Sequence, residues 1–456
     1  MGKISNQDEL NELLGSDRLP AFCWYGPRYS DIAVHESSFT ISGAVVCYAP
    51  TNMGSTIPVL SQNKAGQRRN LSVDNFILDI IPNGSLKEFI KTNMIKAILP
   101  YDSYVELEAF CQENGVTYLS STESVKESLR DKTNIDTISR AINLDPISGV
   151  TGTVDDFDFE TLAEQLNLPL FMHFAEGAGG SGNYIVNNKD EFMAVKQKQR
   201  GKRLNVKKFI TGRSSSIDIC VMRTSIACGH LEEMVIGSAP LADNPTQYVA
   251  SSWFENGYGL NIRKRIMEIC VRLGEHLRNQ GFLGIFHPDF LITGDKIYLT
   301  ELNMRFGGSC GIYQMVQNIA GQIPLLTMQA LTFTKPDIVI DTEKINLSNL
   351  QPQSYAMMVI KNNKKEQVRI NPYFLQGCYS FTNGVLSYKH KKTLKDLNQD
   401  DELLIYDLPD NGSETLVDPG SYICTIVTRF PISDGYSNLN EVGRSLGELV
   451  FDTMTS

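Results

Sequence analysis

The stretch YLTELNMRFGGS at residues 298–309 contains side chains that could bind a metal ion and phosphate. Glu301, Asn303 and Arg305 are spaced two residues apart, and residues i and i+2 of a β-strand point to the same face. Carboxylate and amide oxygens are ligands that suit Mg²⁺, and a guanidinium group suits a planar, charge-dense phosphate or acyl phosphate. The spacing therefore predicts a face that binds metal and phosphate. A surface hairpin with charged outer residues has the same spacing, so both interpretations stay open at this point.

A second carboxylate precedes this stretch in the sequence FLGIFHPDFLITGDKIYLTE. Asp289 lies twelve residues before Glu301, and Gly294 with Asp295 predicts the tight turn of a β-hairpin between them. A hairpin would bring the two carboxylates side by side. Asp289, Glu301 and Asn303 are therefore predicted to face one point, where phosphate oxygens and water would complete the octahedral coordination of Mg²⁺.

The sequence EGAGGSGN at residues 176–183 forms a glycine-rich segment between two predicted strands. Glycine lets the backbone approach an anion closely, and successive backbone amides can surround phosphate groups. The segment matches neither the Walker A sequence nor the GxGxxG fingerprint. A flexible hairpin loop has the same composition, so the segment by itself predicts phosphate binding only weakly.

These motifs lie in the middle of a chain whose pattern predicts three domains. Short apolar runs alternate with helical stretches in residues 1–128, which predicts an α/β domain with a mostly parallel sheet. Residues 129–345 contain the motifs above, with a small lid-like unit at about 150–208. Strand and turn signals followed by one helix predict a smaller α+β domain in residues 346–456.

The composition indicates a folded, water-soluble protein and disfavours a general role in binding nucleic acid or membranes. The chain has 456 residues with 42 basic and 52 acidic side chains, which gives a net charge of −10. The N-terminus lacks the apolar segment of a secretory signal, and no run of residues is apolar enough to span a membrane. Nine cysteines without metal-binding or disulfide-like spacing indicate a reducing compartment. We therefore expect a cytoplasmic protein.

Together the motifs resemble the ATP-grasp superfamily over roughly residues 129–335. DKTNIDTI resembles the family's early lysine motif, PLFMHFAEGAGGSG its strand and glycine-rich loop, and VKKFITGRSSSID its hinge strands. GFLGIFHPDFLITGDKIYLTELNMRFGGS resembles the family's metal and phosphate signature and is the most specific match. The resemblance implies an ATP-grasp fold with an N-terminal α/β (pre-ATP-grasp) domain and a small C-terminal α+β domain. It also implies ATP and one or two Mg²⁺ ions as cofactors.

The resemblance further implies a role for individual residues. Asp289, Glu301 and Asn303 would bind Mg²⁺, and Arg305 would stabilise the transferred phosphoryl group, with Glu301 and Asn303 also counted as catalytic. The remaining nucleotide-binding residues that it implies, from the lysine motif, the glycine loop and the hinge, are Lys132, His173, Gly177, Gly179, Gly180, Ser181, Gly182, Lys208 and Ile210.

Two positions depart from the family pattern. His173 stands where the family has a lysine that contacts the α- and β-phosphates, so either its imidazole makes that contact or nucleotide binds more weakly. Lys207 stands where an acidic residue is common on the hinge, and Ser214 falls near the position of a ribose-binding acid. The prediction of phosphate binding is therefore firmer than the prediction of which nucleotide is bound.

Two segments are candidates for contact with the other substrates. Arg28 follows an apolar strand through a Gly-Pro turn, although an ordinary polar loop would look the same. Gly307, Gly308 and Ser309 continue the signature strand into a loop that faces the substrate carboxylate in the family.

The function that these features imply is that of an ADP-forming carbon–nitrogen ligase. Such an enzyme activates a carboxylate as an acyl phosphate and joins it to an amine, in the biosynthesis of a small molecule or natural product. One alternative is transfer of the acyl group to a thiol, so that an amino acid is loaded onto a carrier protein. Another is a non-catalytic nucleotide-binding regulator. The expected partners are small-molecule carboxylates and amines, and the C-terminal domain could support a homodimer.

Overall fold

The computed structural model describes most of the chain. The described residues are 3–15, 19, 21–28, 30–32, 41–48, 57–63, 81, 84–175, 182–255, 258–390, 397, 401–408 and 415–455. The strand predicted from the sequence NFILDII at residues 75–81 falls almost entirely outside this set.

The N-terminal part of the chain forms a five-stranded parallel sheet, as the alternation of apolar runs predicts. Its strands pair in the order β3-β2-β1-β4-β5. Their bounds are β1 Phe22–Tyr25, β2 Ile41–Tyr48, β3 Val59–Asn63, β4 Ala97–Pro100 and β5 Thr117–Tyr118. The helices of this part are α1 Gln7–Leu14, α2 Ser85–Thr92, α3 Val105–Asn114 and α4 Glu123–Arg130. All four residues of β1 and of β4 are buried, which is typical of parallel strands covered on both faces.

A short 3₁₀ helix, Lys132–Asn134, connects α4 to helix α5, Ile135–Ala141. The side chain of Asp131 accepts a hydrogen bond from the backbone N–H of Thr133 at 2.9 Å and so caps this turn. This cap fixes the conformation of the turn, and the side chain of Lys132 extends from it. The charged sequence TESVKESLRDKTNIDTISRAINLD at residues 122–145, which predicts a helical region, therefore forms two helices with Lys132 at their junction.

A four-stranded antiparallel sheet follows, with its strands in the order β6-β9-β7-β8. Its strands are β6 Gly149–Thr153, β7 Leu170–Phe174, β8 Asn183–Val186 and β9 Arg203–Lys208. Its two helices, α6 Phe159–Leu166 and α7 Lys189–Lys198, contribute to one apolar core with alternate residues of β7 and β9. The intervening residues of these strands, His173, Asn205 and Lys207, therefore lie on the opposite face.

The largest sheet has twelve strands among the described residues, and its two halves come from distant parts of the chain. The strands that precede residue 304 are β10 Arg213–Ser216, β11 Ile219–Val221, β12 Ile226–Cys228, β13 Glu232–Ile236, β14 Tyr248–Ser252, β15 Gly284–Thr293 and β16 Lys296–Asn303. The order is β12-β11-β15-β10-β13-β14-β17-β23-β21-β19-β20, with β16 paired to β15.

The C-terminal strands continue this sheet through the antiparallel pair β14–β17. They are β17 Ala356–Lys361, β19 Gly377–Thr382, β20 Val385–His390, β21 Glu402–Tyr406 and β23 Tyr422–Thr428, while β18 Val368–Arg369 pairs separately with β22 Leu416–Val417. Helices α9 Cys310–Ile319, α10 Leu325–Thr334, α11 Thr342–Ser348 and α12 Glu441–Met454 complete this part. The domain limits at residues 128 and 345 stay a prediction.

The sequence GLNIRKRIMEICVRLGEHLRNQG at residues 259–281 has the apolar spacing that predicts an amphipathic helix, and the structure confirms it as α8, Leu260–Asn279. Ile266, Ile269, Leu273 and Leu277 are buried against the large sheet, at the spacing of one helical face. Gly281 has a φ of 89° just beyond the helix end, which is the left-handed conformation that glycine adopts at helix C-termini.

The sequence SSSIDICVMR is two strands rather than the single strand that its apolar content predicts. β10 and β11 both pair with β15, but Ile217 and Asp218 interrupt the ladder opposite His287 and Pro288. Proline has no N–H to contribute to a β-ladder. The interruption frees the Asp218 side chain to bond elsewhere.

No helix among the described residues is both long and apolar enough to cross a membrane.

Candidate functional site

The β15–β16 hairpin brings the two predicted carboxylates together. Gly294 and Asp295 form its two-residue turn, and Asp289 lies directly opposite Glu301. A β-bulge at Thr300 creates this register, because Phe290 pairs with Leu299 and the next pair skips one residue. The Thr300 hydroxyl donates to the backbone carbonyl of Asp289 at 3.0 Å. The predicted hairpin is confirmed, and the bulge adds the shift that makes the carboxylates neighbours.

Asp289 is a half-buried carboxylate whose Oδ1 lies 3.6 Å from Nε2 of His287, which is too far for a hydrogen bond. Its Oδ1 atom is buried without a hydrogen-bond partner among the described residues. Burial raises the pKa of Asp289 to about 7, with His287 opposing this shift and the nearby Glu301 and Glu232 reinforcing it. A half-buried carboxylate beside further carboxylates is a position where a cation would be favoured.

Glu301 is held by the lysine of the 3₁₀ turn. Lys132 Nζ lies 2.7 Å from Glu301 Oε1, so the lysine motif and the metal-and-phosphate signature meet although 169 residues separate them. Burial alone would raise the pKa of Glu301, but Lys132 and His173 outweigh burial and lower it. Glu301 is therefore ionised, and Lys132 already lies at the carboxylate edge of the site.

A polar face of the small sheet lies close to this pair. His173 is 5% exposed, and its Nε2 has no hydrogen-bond partner within the described part of the chain. Burial lowers the pKa of His173 to about 4, Glu301 opposes the shift, and Lys132 and Lys207 add to it. The imidazole is therefore neutral at pH 7 and offers one unused ring nitrogen.

The neighbours of His173 on this face are fixed by hydrogen bonds and an ion pair. Asn205 accepts from Thr151 at 2.5 Å and donates to the backbone carbonyl of Lys132 at 3.0 Å, so it ties the small sheet to the lysine turn. Lys207 forms an ion pair with Asp136. The hinge lysine that departs from the family pattern therefore has an acidic partner on α5.

Arg305 lies two residues beyond the end of β16 and so outside the strand that the two-residue spacing predicts, and it contacts Tyr101 at the end of the N-terminal sheet. Arg305 Nη1 donates to the hydroxyl of Tyr101 at 3.1 Å and to the carbonyl of Phe306 at 2.8 Å. The Tyr101 ring also packs on Phe306, with ring centroids 6.2 Å apart, and Trp24 contacts Phe306 edge-on at 5.5 Å. The charge of Tyr101 would raise the pKa of the guanidinium, with burial opposing it. Arg305 is therefore a cation whose position is fixed by hydrogen bonds, next to the packed rings of Tyr101 and Phe306.

A buried polar network lies beside Asp289 on the same side of the hairpin. Asp218 Oδ1 lies 2.9 Å from His287 Nδ1 and accepts from the backbone N–H of Gly307 at 3.0 Å. Burial would lower the pKa of His287, but Asp218, Asp289 and Glu232 raise it to about 9. Glu232 is 3% exposed, and its Oε2 lacks a hydrogen-bond partner among the described residues. The network holds the loop after β16 against the hairpin.

Gly307 is required by the close approach of the His287 ring. A Cβ atom at Gly307 would lie 2.4 Å from His287 Cε1, whereas a Cβ at Gly308 would meet no atom within 4 Å. We expect Gly307→Ala to reduce the free energy of unfolding by about 1–3 kcal/mol, since the ring and loop must separate. Gly308→Ala is the matched control and should change it by less than about 0.5 kcal/mol. Urea unfolding of both variants measures the difference, and equal stabilities would contradict the proposed crowding.

The other predicted substrate residues surround the start of α9. Arg28 Nη2 donates to the carbonyl of Gly308 at 2.7 Å and contacts Asp31 at 2.8 Å. Ser309 is buried at the N-terminal end of α9. Arg28 thus joins the N-terminal sheet to the loop that follows Arg305, so the structure brings Arg28, Gly308 and Ser309 into one region.

The predicted nucleotide-binding residues are only partly described. Gly177, Gly179, Gly180 and Ser181 lie outside the described residues, whereas Gly182 is buried and its carbonyl accepts from the N–H of Phe174 at 3.0 Å. Lys208 is exposed at the end of β9, and Ile210 is half-buried two residues later. Their contact with adenine stays a prediction.

Several residues of the site are not part of the sequence motifs and were not predicted from them. Asp218, Glu232 and His287 form the buried network, and Tyr101 binds Arg305. His287 could have been found, because it lies two residues before Asp289 and so shares its strand face. Tyr101, Asp218 and Glu232 come from distant elements and carry no such signal.

The carboxylate pair fits a divalent metal. Asp289 and Glu301 are opposed across a hairpin, Asn303 follows on the same face, and Oδ1 of Asp289 is a hard oxygen that accepts no hydrogen bond from the described residues. The fold and the site therefore indicate a nucleotide-binding class, in which the polar face of a small sheet lies near a hairpin that carries the candidate metal ligands.

Residues 169–309 match the family model described as an ATP-grasp domain. Pyruvate carboxylase from Staphylococcus aureus is 24% identical over 241 residues, which is 49% of this chain and 20% of that protein. The arginine-specific large chain of carbamoyl phosphate synthase from Halalkalibacterium halodurans is 20% identical over 224 residues, or 47% and 20% of the two chains. The matches thus span about a fifth of the length of these curated relatives.

Solved structures agree on the fold. The biotin carboxylase domain of 2-oxoglutarate carboxylase from Hydrogenobacter thermophilus, described in complex with MgADP and bicarbonate, has a TM-score of 0.59 at 12% identity, over 90% of this chain and 86% of that chain. N5-carboxyaminoimidazole synthase from Aspergillus clavatus has a TM-score of 0.56 at 10% identity, over 95% and 99%. The chain therefore has the fold predicted from the sequence, and its residues 169–309 match an ATP-grasp domain. ATP with Mg²⁺ agrees with this domain.

Proposed function

We propose that this chain is an ATP- and Mg²⁺-dependent ligase that activates a carboxylate as an acyl phosphate and joins it to an amine. The observation that carries the proposal is the pairing of Asp289 with Glu301 across the hairpin, beside the half-buried cation Arg305. Mere nucleotide binding would not require that arginine. The products would be the amide, ADP and phosphate.

Different residues of the chain would bind the metal, the nucleotide and the phosphoryl group in the first step, which forms the acyl phosphate. Asp289, Glu301 and Asn303 would hold Mg²⁺, which supplies charge neutralisation for the phosphates when it is bound. Lys132 would exchange its contact with Glu301 for one with the nucleotide phosphates. Arg305 would bind the phosphoryl group as a substrate carboxylate oxygen attacks the γ-phosphorus and the bond to the ADP oxygen breaks. Its contacts with Tyr101 and Phe306 hold the guanidinium ready, so little reorganisation is needed.

In the second step the amine would attack the acyl carbon, lose a proton, and expel inorganic phosphate. The loop of Gly307, Gly308 and Ser309, with Arg28 behind it, would border the acyl group. A carrier-protein thiol could attack the same intermediate, and that alternative stays open. Because the Hydrogenobacter neighbour is described with bicarbonate, bicarbonate is the first carboxylate to test.

Product analysis tests the proposal directly. The purified chain is incubated with ATP, Mg²⁺, hydroxylamine and a panel of carboxylates that includes bicarbonate and amino acids. We expect ADP, phosphate and a hydroxamate with the correct acid, since hydroxylamine traps an acyl phosphate. AMP and pyrophosphate as the only products would refute the proposal. Tight ATP binding without turnover for any acid would support the regulator instead, and a mass shift of an added carrier protein would support the thiol acceptor.

His173 provides a separate prediction for nucleotide binding. Phosphate groups near the unused Nε2 should raise its pKa from about 4, so that the imidazole takes up protons when ATP binds. Because the bound form then has the higher pKa, this contribution strengthens ATP binding as the pH falls from 8 to 6. Calorimetry in two buffers of different ionisation enthalpy should show more proton uptake in the wild type than in His173→Gln. We also expect about 3–10-fold weaker ATP binding in the variant, and equal uptake and affinity would argue against the contact.

A further inference from the structure

A cluster of metal-ligand side chains lies in the C-terminal part of the large sheet, on strands that the ligase site does not use. Cys378, His390 and Glu402 come from β19, β20 and β21, and their ligand atoms all lie within 4.8 Å of one another. We propose that these three side chains form a second metal site, which takes a divalent ion of the zinc class.

The strand register explains why the three side chains share one face. Ser380 of the central strand β19 pairs with Glu402 of β21, and Cys378 lies two residues before Ser380 on the same face. On the other side, Ser380 pairs with Ser387 and Tyr379 with Tyr388. A regular ladder would then place Lys389 opposite Cys378.

A β-bulge changes this outcome. The register shifts between Cys378 and Tyr379, so that His390 instead of Lys389 pairs with Cys378. The extra residue moves His390 onto the face of Cys378 and Glu402. Bulges commonly re-aim one side chain, and here the side chain is an imidazole brought to a thiol and a carboxylate.

The environment of His390 supports a ligand at this point. Its Nδ1 atom is buried and has no hydrogen-bond partner in the described part of the chain. Cys378 is fully buried, whereas His390 and Glu402 are half-buried. A buried polar nitrogen without a partner costs free energy that a metal–nitrogen bond would recover.

The ligand set selects the kind of metal. Thiolate and imidazole favour Zn²⁺ and related ions, while Mg²⁺ and Ca²⁺ prefer oxygen ligands. A thiolate and a carboxylate together balance a divalent charge, so the occupied site would be neutral at the edge of the core. Three protein ligands leave one tetrahedral position for water. The bound ion would tie β20 and β21 to β19 at one end of the sheet.

Cobalt provides the test, because Co²⁺ takes zinc sites and a cobalt–thiolate bond gives a charge-transfer band in the near ultraviolet. The full chain is stripped with a chelator and titrated with Co²⁺ in excess Mg²⁺, which keeps the Asp289–Glu301 site occupied. We expect one equivalent of Co²⁺ with the thiolate band, and displacement of the band by Zn²⁺. Zn²⁺ should also raise the midpoint of thermal unfolding.

Variants assign the ligands. Cys378→Ser should remove the band, and His390→Gln and Glu402→Gln should each weaken Zn²⁺ binding at least about tenfold in competition with a chromophoric chelator. Cys424→Ser is the matched control, since Cys424 is a buried thiol on β23 in a different core cluster, and it should keep the band and the affinity. Circular dichroism of the metal-free proteins checks that each variant folds.

Two results would overturn the proposal. One is a wild-type chain that develops no thiolate band, and the other is a band that survives in Cys378→Ser. If Cys378→Ser does not fold, unchanged Zn²⁺ affinity in both His390→Gln and Glu402→Gln would overturn it equally. None of these readouts depends on ligase activity, so failure here leaves the proposed function unaffected.

Discussion

Glu301→Gln is expected to reduce ADP formation by about 10³-fold while the fold stays intact. The carboxylate lies opposite Asp289 and forms an ion pair with Lys132 at 2.7 Å, so it is placed to hold the proposed metal and to position the lysine that we propose binds phosphate. An amide of the same size keeps the packing but removes the charge. A loss of about 4 kcal/mol of transition-state stabilisation corresponds to that rate effect. Steady-state ADP release with the acid identified by hydroxamate trapping measures it.

A second glutamate in the same sheet provides the control. Glu233 on β13 is buried, and its carboxylate accepts from the backbone N–H of Ser437 at 2.6 Å and from the Ser433 hydroxyl at 2.7 Å, away from the hairpin. Glu233→Gln therefore removes a buried charge without touching the proposed metal ligands, and turnover should change little. Unchanged turnover in Glu301→Gln would contradict the metal assignment. Equal losses in both variants would indicate a general effect of removing charge from the sheet.

Arg305→Met is expected to lower kcat by about 10³-fold with a much smaller change in the KM for ATP. The guanidinium is held by Tyr101 and the Phe306 carbonyl next to the carboxylate pair, so its positive charge is available where negative charge develops. An interaction made mainly in the transition state affects kcat more than KM. Arg305→Lys should recover part of the rate, because a lysine restores the charge without the planar fork.

Arg263→Lys is the matched control for this series. Arg263 is a buried arginine on α8 whose Nη1 donates to the carbonyl of Leu350 at 3.1 Å, outside the proposed site. We expect this variant to lose some stability and to keep its kcat. A KM effect without a kcat effect in Arg305→Met would instead assign Arg305 to ground-state binding and would contradict its proposed role.

The ATP-grasp fold and the β15–β16 hairpin could be predicted from the sequence because they depend on short-range regularities. The two-residue spacing places Glu301 and Asn303 on one face of β16, and the Gly294–Asp295 turn fixes the hairpin, whereas Arg305 lies beyond the end of the strand. The early lysine motif could be matched as well, although its contact with Glu301 could not. Each of these signals lies within one or two adjacent elements.

The exact register could not be predicted, since a two-residue hairpin without a bulge would have placed Asp289 opposite Thr300. The bulge at Thr300 moves Glu301 into that position. For the same reason, the cluster of Cys378, His390 and Glu402 could not be predicted from the sequence, because a second bulge brings His390 next to the cysteine. A bulge depends on how a strand pairs with both of its neighbours, and the sequence of the strand alone carries little information about that pairing.

The sequence by itself determined which reactive groups are available: two carboxylates and an amide that we propose as metal ligands, an arginine that we propose to bind a phosphoryl group, and a glycine-rich segment. The tertiary structure alone decided which side chains surround these groups. Folding places Tyr101 next to Arg305 and Lys132 next to Glu301. It also places the network of Asp218, Glu232 and His287 beside Asp289. The physical reason is that charge and hydrogen-bonding capacity belong to single residues. Burial, pKa and the choice of partner depend on chain segments that only folding brings together.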